Sequence, residues 1–85
     1  MSLTMDVEEE CKQLVKELER IASGNKNGND RLFCTYGQLF DDDLVQNTFE
    51  ALMGTLKAAK KRGLIHYEGQ LLLQGVHNHV EIEIM

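Results

Sequence analysis

The spacing of apolar side chains changes once along this chain, at Gly63, and that change limits the folds open to it. Before Gly63 the apolar residues recur at steps of three and four: Val7, Cys11, Leu14, Val15, Leu18 and Ile21, then Val45, Phe49, Leu52, Met53, Leu56 and Ala59. Each set is one stripe along a helix. After Gly63 the pattern alternates, with Val80, Ile82 and Ile84 separated by Glu81 and Glu83. That is the two-residue period of a strand with one wet face. Helices therefore come first and the sheet closes the chain, which predicts an α+β architecture. In 85 residues there is room for one core and one domain, 1–85.

The breaks between segments fix the order. Acids at Asp6, Glu8, Glu9 and Glu10 favour the start of a helix over 6–22 through its dipole, and residues 1–5 ahead of it are expected to be disordered. "SGNKNGND" at 23–30 is a loop rich in turn formers. "RLFC" at 31–34 fits a short strand, and Thr35 fits the cap of a short helix that exposes Gln38 and buries Tyr36, Leu39 and Phe40. The Asp41–Asp43 run offers a cap to a third helix over 44–62, which Gly63 stops. "LIHYE" and "LLLQ" about Gly69 read as two strands of a hairpin, followed by "VEIEI". Three helices and a small antiparallel sheet in this order predict a winged-helix-like fold, with the hairpin as its wing.

Winged helices commonly read DNA, inserting the third helix in the major groove and laying the wing on phosphate. The charge distribution argues against that here. Residues 1–43 carry ten acids and five bases, and residues 63–85 carry Glu68, Glu81 and Glu83 with no Lys or Arg. The one basic patch, Lys57, Lys60, Lys61 and Arg62, is bounded by acid on both sides, and the formal net charge is -5. Phosphate neutralisation dominates DNA affinity, so a winged-helix nucleic-acid-binding protein is the alternative rather than the expectation. The cations also suit the C-terminal dipole of their own helix, and Lys60, beside the apolar stripe, is placed to snorkel.

Asn47, Ala51, Gly54 and Ala58 form a second line on the same wheel, opposite Phe49. A glycine inside a helix costs on the order of 1 kcal/mol relative to alanine. Its flatness serves either a close helix crossing within the domain or a docking face edged by Lys57 and Lys61.

No catalytic or cofactor chemistry emerges. There is no glycine-rich phosphate cradle, GxSxG or HExxH, and the Asp run is more simply a cap. His77 and His79, with His66 or Glu68 as a third ligand, make a weak metal motif, and no metal is expected. Cys11 and Cys34 belong to no ligand or disulfide pattern and read as buried, reduced thiols. No apolar run approaches the roughly 18 residues that span a bilayer and no secretory signal opens the chain, so a cytoplasmic protein is expected.

The stretches "YGQLFDDD", "FEALMGTLKAAKKRG" and "YEGQLLLQGVHNHVEI" resemble the Costars family. These are small proteins similar to the C-terminal actin-binding domain of the striated-muscle activator of Rho signalling. The resemblance runs over residues 7–84 and rests on Phe40, Phe49, Glu50, Leu52, Gly54, Thr55, Leu56, Lys57, Ala59, Lys60, Gly69, Gly75 and His77. Tyr36 stands where the family pattern has Phe, and Asn78-His79 where it tends to place acids. The resemblance implies a winged-helix-like fold and a non-catalytic role in actin dynamics and cell motility. It also implies actin or an actin-associated protein as partner. Actin's acidic surface suits a basic helix edge. The expected contact residues are Gly54, Lys57, Ala58, Lys61 and Arg62, with the protein acting as a monomer without cofactors.

Overall fold

The computed structural model describes residues 6–85, so the expectation for residues 1–5 lies outside the described residues. Helix α1 (Val7–Ala22) starts where the Asp6 carboxylate accepts the Glu9 amide at 2.8 Å, and its first-turn acids face the positive end of the dipole. It stops at Ser23, whose φ of 50 lies in the left-handed region. The stripe is inside as expected, with Cys11, Leu14 and Leu18 fully buried. In the loop that follows, the Asn27 side chain accepts the amides of Asn29 and Arg31 at 2.9 and 3.3 Å and so shapes the turn into strand β1 (Phe33–Thr35).

Helix α2 (Tyr36–Phe40) follows without a linker. Thr35 and Gln38 make a reciprocal capping box, the Thr35 hydroxyl accepting the Gln38 amide and the Gln38 side chain accepting the Thr35 amide. Asp42 then caps helix α3 (Asp43–Thr48) by accepting the Val45 amide at 3.0 Å.

The helix expected over 44–62 is two helices. α3 ends at Phe49, which turns to extended backbone (φ -110, ψ 118), and α4 (Leu52–Lys61) begins after a bend at residues 50–51. The described residues thus hold four helices rather than three. Both Val45 and Phe49 are buried, and they come from one side of the break while Leu56 and Ala59 come from the other. The bend lets all four reach one core, and Asn47 and Thr48, weak helix formers, precede it at low cost.

The expected hairpin is also absent. Strand β2 is only Ile65–His66, "LLLQ" is not a strand, and residues 67–80 form a long loop. β2 pairs instead with β3 (Glu81–Ile84), which also pairs with β1, giving the antiparallel order β1-β3-β2. Cys34 lies opposite Ile82, and Ile65 opposite Ile84. The alternation in "VEIEI" is real: Ile82 is fully buried at the centre of the sheet, against α1 and β1, while Glu81 is exposed. Gly63, at φ 75, makes the sharp exit from α4 that no residue with a Cβ takes easily. Among the described residues no helix is long and apolar enough to cross a membrane.

Candidate functional site

The expected contact residues lie at the C-terminal half of α4. Gly54, Lys57 and Lys61 are exposed, and Ala58 is half-buried against the core. Steps of three and four place them on one face of the helix. Among the described residues neither Lys57 nor Lys61 takes part in a salt bridge. Arg62, the C-cap, turns back on its own helix, its guanidinium donating to the Ala58 carbonyl at 3.3 Å while its amide closes the last turn. Part of its hydrogen-bonding capacity therefore finishes the helix end.

Two residues leave the predicted line. Asn47 belongs to α3, and Ala51 lies in the bend ahead of α4. Gly54 keeps its openness: a Cβ placed there would meet only the Ala51 Cβ, at 3.8 Å. Among the described residues no helix crosses at that point.

Lys60 does something different from its neighbours. Its stem is half-buried and its ammonium donates to the carbonyls of Tyr67 and Gly69, both at 2.6 Å. The same Nζ stands 4.3 Å from the centroid of the buried Tyr67 ring. The snorkelling expected for Lys60 is present, and its target is the start of the 67–80 loop. Lys57, Lys60, Lys61, Tyr67 and Gln70 together line an open concavity of about 450 Å³.

Of the three histidines only His77 stands apart. His66 and His79 line a second open concavity, of about 490 Å³, with Glu68, Glu81, Glu83, Asn27 and Asn29. The His77 ring is engaged in its own loop, where Nδ1 accepts the Leu73 amide at 2.9 Å. Among the described residues no group of three His, Cys, Asp or Glu is placed to hold a metal ion. Glu83 in that concavity accepts from the Asn27 and Asn29 side chains at 2.6 and 3.1 Å, which holds its carboxyl below the usual range.

The Asp run is structural. Asp42 accepts from the Arg20 guanidinium at 2.7 Å as well as capping α3, and both bonds lower its pKa. Arg20 also donates to Glu17 at 2.8 Å, and Gln13 donates to the same carboxylate. Glu17 is only 6% exposed. This buried carboxylate, which ties α1 to α3 through Arg20, was not read from the sequence. Its trace there is a charged residue directly before Leu18 on the apolar stripe. Burial pushes the Cys34 thiol up to about 12 and raises that of Cys11 as well, so neither is a ready nucleophile.

Comparison with known proteins identifies the family. The family model described as Costars matches residues 6–85. A Costars family protein of Nematostella vectensis is 52% identical over 81 residues, covering 95% of this chain and 96% of the relative. The Costars family protein ABRACL of Bos taurus is also 52% identical, over 95% of this chain and 98% of its own, and Protein costars of Dictyostelium discoideum is 49% identical over 95% and 96%. The solution structure of human HSPC280 protein superposes with a TM-score of 0.83 at 49% identity, covering 95% of this chain and 93% of that one. The chain belongs to the Costars family.

Proposed function

We propose that this protein is a non-catalytic protein-binding module of the actin cytoskeleton that works as a single unit over 1–85 and modulates actin dynamics and cell motility. In this reading it is cytoplasmic, monomeric and free of cofactors, and it meets actin or an actin-associated protein. Its winged-helix-like order of elements presents α4 to a protein rather than to a DNA groove. Gly54, Lys57, Ala58, Lys61 and Arg62 form the contact face.

The observation that carries the reading is Gly54. Among the described residues, a helix-weakening residue stands on an exposed face that no other element covers, beside two lysines with no salt bridge. A flat, cationic helix face in an otherwise acidic chain complements an acidic protein surface. Family membership supports the choice of the actin system.

Co-sedimentation with actin filaments tests it. Wild-type protein is expected to pellet with filaments, and Lys57→Glu/Lys61→Glu to bind roughly tenfold more weakly, equivalent to about 1.4 kcal/mol. Equal binding by both proteins would remove the proposed face.

A further inference from the structure

We infer that the 67–80 loop and α4 together form a docking surface for a protein segment that is acidic on one edge and aliphatic on the other. This deepens the reading above, resting on α4 as the partner-facing helix, and adds an apolar half to its cationic half.

Residues 69–80 contain no Asp, Glu, Lys or Arg, in a chain where such residues make up 27%. Three large aliphatic side chains stand out of this stretch: Leu71 is 49% exposed, Leu73 48% and Val76 60%. The core takes Leu72, which is 3% exposed and donates its amide to the Met53 sulfur at 3.3 Å, and Val80 packs against it at the end of the stretch. Clustered exposed aliphatic residues next to polar ones mark interaction sites more often than chance surface does.

The loop is also built to hold them in place. The His77 amide donates to the Leu73 carbonyl at 2.9 Å, Leu73 donates to His77 Nδ1 at 2.9 Å, and Gly75 donates to the Asn78 side chain at 2.8 Å. Lys60 ties the start of the loop, and the Gly37 and Tyr36 amides tie its end through the Asn78 and Val80 carbonyls at 3.0 and 2.9 Å. Gly37 suits this close approach, since a Cβ there would lie a tight 3.1 Å from both the Asn78 Cβ and carbonyl oxygen. A loop ordered before binding presents its side chains with less entropy left to lose.

Its path sets the chemistry of the occupant. Gly69 lies at Lys60, Gln70 shares a concavity with Lys57 and Lys61, and Leu72 lies at Met53. The loop therefore runs back along α4, which sets the exposed aliphatic residues on a segment flanking the helix that carries Lys57 and Lys61. Carboxylates opposite Lys57 and Lys61, with aliphatic groups over Leu71 and Leu73, satisfy both halves. The occupant is a segment of another protein rather than a second copy, because in a two-fold pairing the surface would meet itself, setting Lys57 and Lys61 against their own copies with no Asp or Glu in 69–80 to answer them.

The test is an amide-resolved NMR titration of the full chain. The probe is a synthetic helix-forming peptide with leucines at i, i+4 and i+7 and glutamates between them. Shifts are expected at residues 70–76 and 54–61. Binding should weaken roughly tenfold for Leu71→Ser/Leu73→Ser, for Lys57→Glu/Lys61→Glu, and for a peptide with serine in place of leucine. Leu71 and Leu73 are exposed, so the variants keep the core, and their own spectra report that they are folded. Shifts confined to other residues, or equal binding by the leucine variant, overturn the inference. So do shifts at 70–76 that follow protein concentration without peptide, since a second copy is then the occupant. Failure to pellet with actin would end the reading of the previous subsection without touching this one, which stands on the peptide.

Discussion

Three lysines within five residues of α4 look equivalent in a sequence and are not equivalent in the fold. Lys57 and Lys61 are exposed, whereas Lys60 spends its ammonium on two loop carbonyls and an aromatic face. Hydrogen bonds from a charged donor contribute about 1.5–3 kcal/mol when they are shielded from water. Here one of the two acceptors is part-buried and the other exposed, so the lower end applies. Lys60→Met, which keeps the aliphatic stem, is therefore expected to lower unfolding free energy by about 1–2 kcal/mol. Lys57→Met should stay within about 0.5 kcal/mol of wild type. Urea unfolding of the two variants side by side checks this. Equal midpoints would mean that Lys60 does not clip the loop. In amide exchange, the loss should appear first at residues 69–77, the stretch that the clip holds.

At the level of elements, the joints between helices depend on carboxylates. Asp42 caps α3 and takes the Arg20 guanidinium from α1, and Glu83 on β3 takes the Asn27 and Asn29 amides from the loop after α1. Both carboxyls titrate lower in the fold than they would in the open chain. The sign follows: their contribution to stability is complete above the ordinary carboxylate range and fades as pH falls through the depressed folded values. Asp42→Asn retains a capping oxygen but loses the charge facing Arg20. Its urea midpoint is expected to fall less than that of wild type between pH 6 and pH 3, and an identical fall in both would sink the assignment. The same joints show what a linear sequence conveys. The stripe of α1, the Thr35 and Asp caps and the alternating β3 were legible because each depends on neighbours within a few residues. The break at Phe49 was not, because the stripe through Val45, Phe49, Leu52 and Leu56 keeps helical spacing across it. Only the need to bring Val45 and Phe49 into the same core as Leu56 bends the chain there. "LLLQ" misled for a similar reason. β2 keeps an open outer edge, but the chain after it turns back along α4 and sends Leu72 into the core beside Met53 instead of pairing. Of the candidate site, the cationic face was readable from helical spacing, while the loop laid against it depends on contacts between residues nine to nineteen positions apart.

For the molecule as a whole, the arrangement of charge decides what the basic face can meet. Tyr67 walls both open concavities, the one lined by Lys57, Lys60 and Lys61 and the one lined by Glu68, Glu81 and Glu83. The two are therefore neighbours, and any polyanion laid on the lysines runs onto the carboxylates. A compact acidic protein surface can stop short of them; a DNA duplex, with a charge about every 1.7 Å of axis, cannot. Wild-type protein at micromolar concentration is expected to leave a duplex unshifted in electrophoresis near 0.15 M salt. Glu68→Lys/Glu81→Lys removes the obstacle without touching the tied Glu83 and should create weak, sequence-independent DNA binding at low salt. Its logarithmic affinity should then fall with added salt by about 0.9 per phosphate neutralised. If wild type already bound with a slope as steep as that of the variant, the carboxylates would not be what turns this helix away from nucleic acid, and α4 would have to be read as a DNA-facing helix after all.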